Sequence, residues 1–175
     1  QSGFNALGSI LCGDVNPSGR TIDTFVYDLT QTPTANNFGN FTYTNMDEFK
    51  ANAFGTDTIP AFVNYVEGIY VGYKFYETAA AEGLIDYDKT VVYPFGRGLS
   101  YTTFTQSLNS VTEADGTITV DVTVTNTGSA SGKEVVEVYY NPPYTNGGLE
   151  KASANLIGFA KTSELAPGAS ENVTV

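Results

Sequence analysis

The sequence predicts a mainly-β chain whose C-terminal half is an antiparallel β-sandwich. Three observations predict it. Residues 116–128, GTITVDVTVTNTG, alternate strictly, with Ile118, Val120, Val122 and Val124 on one side and Thr119, Asp121, Thr123 and Thr125 on the other. Such alternation marks a half-buried strand with a core face and a wet face. Further short strand patterns follow, cut by turns rich in Gly, Pro and Ser, which is the spacing of a sandwich. Clear helical periodicity is confined to the first dozen residues, where Phe4, Leu7, Ile10 and Leu11 share one face.

In chain order, the opening helix ends at Gly13, which stands where a C-cap is expected. A helix this short needs packing partners to persist, so it reads as the tail of a larger α/β unit. NPSG (16–19) has the composition of a turn, and RTIDTFV (20–26) is a short strand or an extended exit. Residues 28–92 show no periodic element longer than a few residues, apart from a short helix that MDEFKANAF (46–54) could form. Their aromatic content argues against disorder, so they are expected to wrap over another surface. YVEGIYVGYKFYET (65–78) suits that role, with Gly68 and Gly72 permitting close approach. VVYPFGRGLSYTTF (91–104) joins this stretch to the first sandwich strand. Pro94 fixes one backbone angle there, and Gly96 and Gly98 allow unusual ones. EVVEVYY (134–140), stopped by Pro142 and Pro143, NLIGFAKT (155–162) and the end of LAPGASENVTV (165–175) complete about five strands. A seven-stranded sandwich needs two more. The expected organisation is 1–27 as the tail of an α/β domain, 28–92 as a wrapping linker, and 93–175 as a sandwich incomplete at its C-terminus.

Composition narrows the function. Nineteen acidic residues against eight basic ones give a net charge of −11, which disfavours nucleic acid and anionic membrane surfaces. No apolar run reaches the ~20 residues of a membrane helix, and no signal-peptide pattern is present, so a soluble chain of open compartment is expected. The chain has no His, which removes a Ser-His-Asp or Cys-His nucleophile and makes a zinc site improbable. Cys12 stands alone and is expected to be a buried small hydrophobe. No cofactor and no metal are expected.

Five segments, in this order, resemble the C-terminal part of glycoside hydrolase family 3, the β-glucosidase and β-xylosidase family. They are GDVNPSGRTIDTF (13–25), YVEGIYVGYKFY (65–76), VVYPFGRGLSYTTF (91–104), VTVTNTGSASGKEVVEVYY (122–140) and LIGFAKTSELAPGASENVTV (156–175), while 28–60 matches least. The resemblance implies an immunoglobulin-like sandwich of the fibronectin type III kind, opened by residues 91–104 after the end of an α/β sandwich. It also implies a retaining parent enzyme with an Asp nucleophile from a barrel domain and a Glu acid/base from the α/β sandwich, both outside the segments matched here. No residue here is therefore carried over as catalytic. The expected role is a structural portion of the glycosidase that braces its remaining domains. A carbohydrate-binding or adhesion module is the alternative, and a sandwich that accepts a partner's strand is a third.

Individual residues carry competing readings. Glu67 and Glu77 could supply two carboxyls, but a retaining pair must stand roughly 5 Å apart, and the simpler reading has Glu67 paired locally and Glu77 exposed. Asp86 and Asp88 read as a solvated loop, since no calcium-loop spacing accompanies them. The aromatics of 65–76 are hydrophobic anchors or a sugar platform, with Tyr70 and Tyr73 as the candidate substrate-binding residues. Tyr139, Tyr140 and Tyr144 read as sandwich core or rim. Arg20 and Arg97 are expected at a domain contact, in ion pairs or on carbonyls. Lys74 and Lys151 read as surface residues. NFT (40–42) and NVT (172–174) match the glycosylation sequon.

Overall fold

The computed structural model describes residues 3–39, 41–45, 51–53, 56–58 and 61–175. Helix α1 (Gly3–Leu11) occupies the predicted periodic segment. Gly13 closes it at φ +82°. The Gly13 N–H reaches Ile10 O at 3.0 Å and the Asp14 N–H reaches Ser9 O at 2.9 Å, which together satisfy two terminal carbonyls. Phe4, Leu7 and Leu11 face outward, and Cys12 is exposed rather than buried as expected. The thiol lies in the capping turn, after the last apolar residue of α1.

Residues 16–19 do not fold into the turn their composition suggested. Asn16 spends its side chain on distant partners instead of on its own backbone. Beyond them, β1 (Phe25–Val26) pairs antiparallel with β4 (Val91–Tyr93). The Thr21 N–H to Arg97 O bond and the Gly96 N–H to Thr21 O bond, both 2.8 Å, lengthen that pairing.

The middle of the chain is more regular than its sequence suggested. Asp28 caps a single 3-10 turn at Leu29–Gln31, accepting from the Thr30 N–H at 2.9 Å, and a second such turn spans Ala35–Asn37. Strands β2 (Ala51–Ala53) and β3 (Thr56–Thr58) pair antiparallel. The expected helix over 46–54 is thus extended at 51–53, and its other positions lie outside the described residues. A helix does form further on: α2 (Tyr73–Ala81), with Tyr76 and Ala79 buried on one face. Gly83, at φ +70°, terminates it in the same capping pattern as α1, with Gly83 N–H to Ala80 O and Leu84 N–H to Ala79 O. Helix α3 (Tyr87–Thr90) follows, capped by Asp86.

The sandwich comprises β5 (Phe104–Ala114), β6 (Thr117–Asn126), β7 (Val135–Tyr140), β8 (Asn155–Lys161) and β9 (Ser170–Thr174). One antiparallel sheet runs β5-β6-β9 and the other pairs β7 with β8. Val120, Val122 and Val124 of β6 point inward with Val173 of β9 and meet Val136 of β7 and Leu165. Phe104, Val138 and Ala160 close the same core. The predicted alternation therefore holds along β6, although its first apolar member, Ile118, is exposed at the strand end. Asn126, the last residue of β6, is fully buried. Its amide donates to Ala130 O and Leu165 O at 2.8 Å each and its Oδ1 accepts from Thr102 Oγ1 at 2.6 Å, so a costly buried polar group is satisfied.

Candidate functional site

Two places gather the residues singled out in the sequence: a clasp between residues 10–21 and the sandwich, and a cleft beside α2. The clasp begins at Asn16. Its amide donates to Ser131 O at 2.8 Å, while its Oδ1 accepts from the Tyr101 N–H at 2.8 Å and Ser100 Oγ at 3.1 Å. Tyr101 in turn donates its hydroxyl to Ile10 O at 2.7 Å, which ties the end of α1 to the loop before β5. Arg20 forms an ion pair with Glu134 at 2.6 Å, both side chains being less than a fifth exposed. Gln106 adds a bond to Val135 O at 3.1 Å, beside that pair. Lys161 Nζ donates to Ser18 O at 3.0 Å from the other sheet edge.

The turn 94–98 fits into this clasp. Gly96 sits at φ +77°, and a Cβ there would stand 2.4 Å from Glu137 Oε2. Arg97 lies over the Tyr93 ring at 5.3 Å, a cation–π contact in place of an ion pair. Phe95 packs on Tyr73, ring centroids 4.7 Å apart, and Tyr73 also meets Tyr139 edge-on at 6.0 Å. The Tyr73 hydroxyl accepts the Leu156 N–H at 2.9 Å, and Thr78 Oγ1 accepts the Ser153 N–H at 2.9 Å. Helix α2 is thereby docked on β7, on the start of β8 and on the loop before it. Burial, and then the hydrogen bond to Glu137 at 2.7 Å, raise the Tyr139 phenol above its usual range.

The structure separates the two candidate binding tyrosines. Tyr73 is committed to the sandwich, whereas Tyr70 lines a cleft of about 660 Å³ together with Glu82, Asn141, Pro142, Tyr144 and Lys151. Tyr70 is positioned by a turn in which its N–H bonds to Glu67 O at 3.0 Å, between Gly68 at φ +57° and Gly72 at φ +58°. Partial burial, and then Glu150, Tyr144 and Glu82, hold its phenol above the ordinary value, so it stays neutral and able to donate. The opposite wall is the 141–153 loop, in which the sequence shows no periodic signal. Lys151 Nζ donates to Pro143 O at 2.8 Å and the Gly148 N–H to Thr145 O at 2.8 Å.

The remaining candidates resolve into local partners. Glu67 accepts from Asn37 Nδ2 at 2.6 Å, and Glu77 accepts from the Tyr87 hydroxyl at 2.6 Å. Glu77 is therefore half-buried rather than exposed, and each carboxylate serves its own neighbour. Asp86 is used as the α3 cap and pairs with Lys89 at 2.5 Å. Asn172 lies on β9 and its Oδ1 accepts from Thr123 Oγ1 at 2.8 Å; Asn40 is outside the described residues. Among the described residues no helix is long and apolar enough to cross a membrane.

Fold and clasp together define a β-sandwich module locked onto a preceding α/β segment. No protein-family model matches the sequence. Known proteins do. The chain is 37% identical over 185 residues to β-glucosidase A of Butyrivibrio fibrisolvens, covering 97% of this chain and 19% of that protein. It is 36% identical over 175 residues to a β-glucosidase of Ruminococcus albus, covering all of this chain and 15% of the relative. Among solved structures, β-glucosidase 3B of Thermotoga neapolitana in complex with α-D-glucose superposes with a TM-score of 0.77 at 35% identity, over 100% of this chain and 21% of that one. The family 3 (GH3) β-glucosidase of Bifidobacterium adolescentis gives 0.75 at 32% identity, over 100% and 22%. The chain belongs to glycoside hydrolase family 3, as a C-terminal portion of its β-glucosidases. It spans about a fifth or less of the length of these two curated relatives.

Proposed function

We propose that this chain is the non-catalytic structural portion of a retaining, β-glucosidase-like hydrolase of β-linked glucosides or xylosides, and that it braces the catalytic domains. The observation that carries this reading is the clasp. Asn16, Ser18, Arg20 and Thr21 each bond across to the turn or the sandwich, so the segment leaving α1 cannot move independently of it. The outward apolar face of α1 supports the same role, since such a face requires cover. In the long hydrolase carrying this chain, Arg20→Met leaves the mostly buried Glu134 carboxylate without its cation. The expected loss of folding stability is roughly 2–4 kcal/mol, with the initial rate on an aryl β-glucoside at low temperature close to that of the parent. Turnover of that substrate by the 175-residue chain alone, abolished in Glu67→Gln, would overturn the reading.

A further inference from the structure

The geometry points to a carbohydrate-binding site in the Tyr70–Tyr144 cleft, one that takes a neutral oligosaccharide and does not depend on the bracing role. At about 660 Å³ the cleft lies within the roughly 300–1,000 Å³ typical of small-molecule sites. Its composition is that of a polyol site. Two tyrosine rings offer apolar faces for the C–H side of a sugar, and Pro142 and Pro143 add rigid apolar wall. Around them stand groups suited to vicinal hydroxyls: the Asn141 and Asn146 carboxamides, each donor and acceptor, and the Glu82 carboxylate, which accepts two bonds. Tyr73 and Thr78 next door are bonded to the sandwich backbone. By contrast, the side chains of Tyr70, Tyr144, Glu82, Asn141 and Asn146 have no protein hydrogen-bond partner among the described residues.

Charge selects within the class. Glu82 and Glu150 flank Tyr70, and the nearby ammonium of Lys151 is engaged by Pro143 O. With a net charge of −11 behind them, these carboxylates repel an anionic sugar and leave a neutral one unopposed. The site is also pre-formed. Both of its loops are closed by backbone or lysine hydrogen bonds, so little ordering remains to oppose binding.

The test is calorimetric titration of the 175-residue chain with cellotetraose and xylotetraose, and with trigalacturonate as the anionic comparison. Saturable binding of at least one neutral tetraose is expected. It should weaken about tenfold or more in Tyr70→Ala and in Tyr144→Ala, as truncating an aromatic anchor does, and it should stay unchanged in Tyr65→Ala, an exposed tyrosine outside the cleft. Glu82→Gln and Tyr70→Phe keep the shape of the walls and decide the matter should an alanine variant fail to fold: each should weaken binding while leaving circular dichroism unaltered. Failure of both tetraoses to saturate, equal binding of trigalacturonate, or indifference of binding to all the cleft variants would overturn the assignment.

Discussion

A Cβ placed on Gly98 would lie 1.8 Å from Arg20 Nη1 and 2.6 Å from Gly19 O. The guanidinium could swing aside, but only by leaving Glu134, and the Gly19 carbonyl is backbone. Gly96 adds a positive φ to a similar clash with Glu137. Gly98→Ala and Gly96→Ala should therefore each cost ~2 kcal/mol or more, read as a lowered urea midpoint at constant m-value; a midpoint within error of the parent would show that the turn is not held by Arg20 and Glu137. That a glycine pair is needed at the turn can be read from PFGRG. What it accommodates cannot, because Arg20 and Glu134 are 114 residues apart and an ion pair at that separation leaves no local pattern. The same limit explains Cys12 and Glu77, whose surroundings are set by where a helix ends and by a tyrosine ten residues on. Tyr70 and Tyr73 look alike in sequence and diverge only because α2 begins between them, which turns Tyr73 toward the sandwich.

At the scale of elements, the strands are legible in the sequence and the second helix is not. The β6 alternation is a two-residue period imposed by one dry face, and no other element writes so plainly. Helix α2 buries just Tyr76 and Ala79, so its apolar stripe is short, and its aromatic first turn reads equally as strand or loop. Its stability comes from docking, including the bond from Tyr87 of α3 to Glu77. Burial, then that bond, raises the Tyr87 phenol well above its ordinary value of 10, and the Tyr139 phenol behaves alike beside Glu137. A group whose folded pKa is raised favours folding fully below the unfolded value. That contribution is lost as pH rises past about 10 toward the folded pKa, because the unfolded chain releases its proton first. Stability should thus decline above pH 10 in the parent, and the decline should be shallower in Tyr87→Phe and Tyr139→Phe, measured by urea unfolding from pH 8 to 11.5. Identical slopes in parent and variants would show that neither tyrosine sets the alkaline limit.

For the whole molecule, the question is whether helix α2 belongs to the sandwich or merely passes it. The contacts answer through three points on one surface: Tyr73 between Phe95 and Tyr139, its hydroxyl on the Leu156 N–H, and Thr78 on the Ser153 N–H. A nine-residue helix has little stability of its own, since nucleation is unfavourable and isolated helices this short are marginal. It follows that α2 should unfold with β7 and β8 rather than ahead of them, and its amides should exchange at rates near those of the sandwich. Tyr73→Ala removes the ring from between two aromatics and leaves the Leu156 N–H without its acceptor. The change should uncouple the units: amide protection falls across 73–81 while Val120, Val122 and Val124, in a core that Tyr73 does not touch, keep theirs. Hydrogen exchange followed residue by residue distinguishes the outcomes. Uniform loss over helix and strands would mean a single cooperative unit, and no loss anywhere would mean that α2 is held by something other than Tyr73.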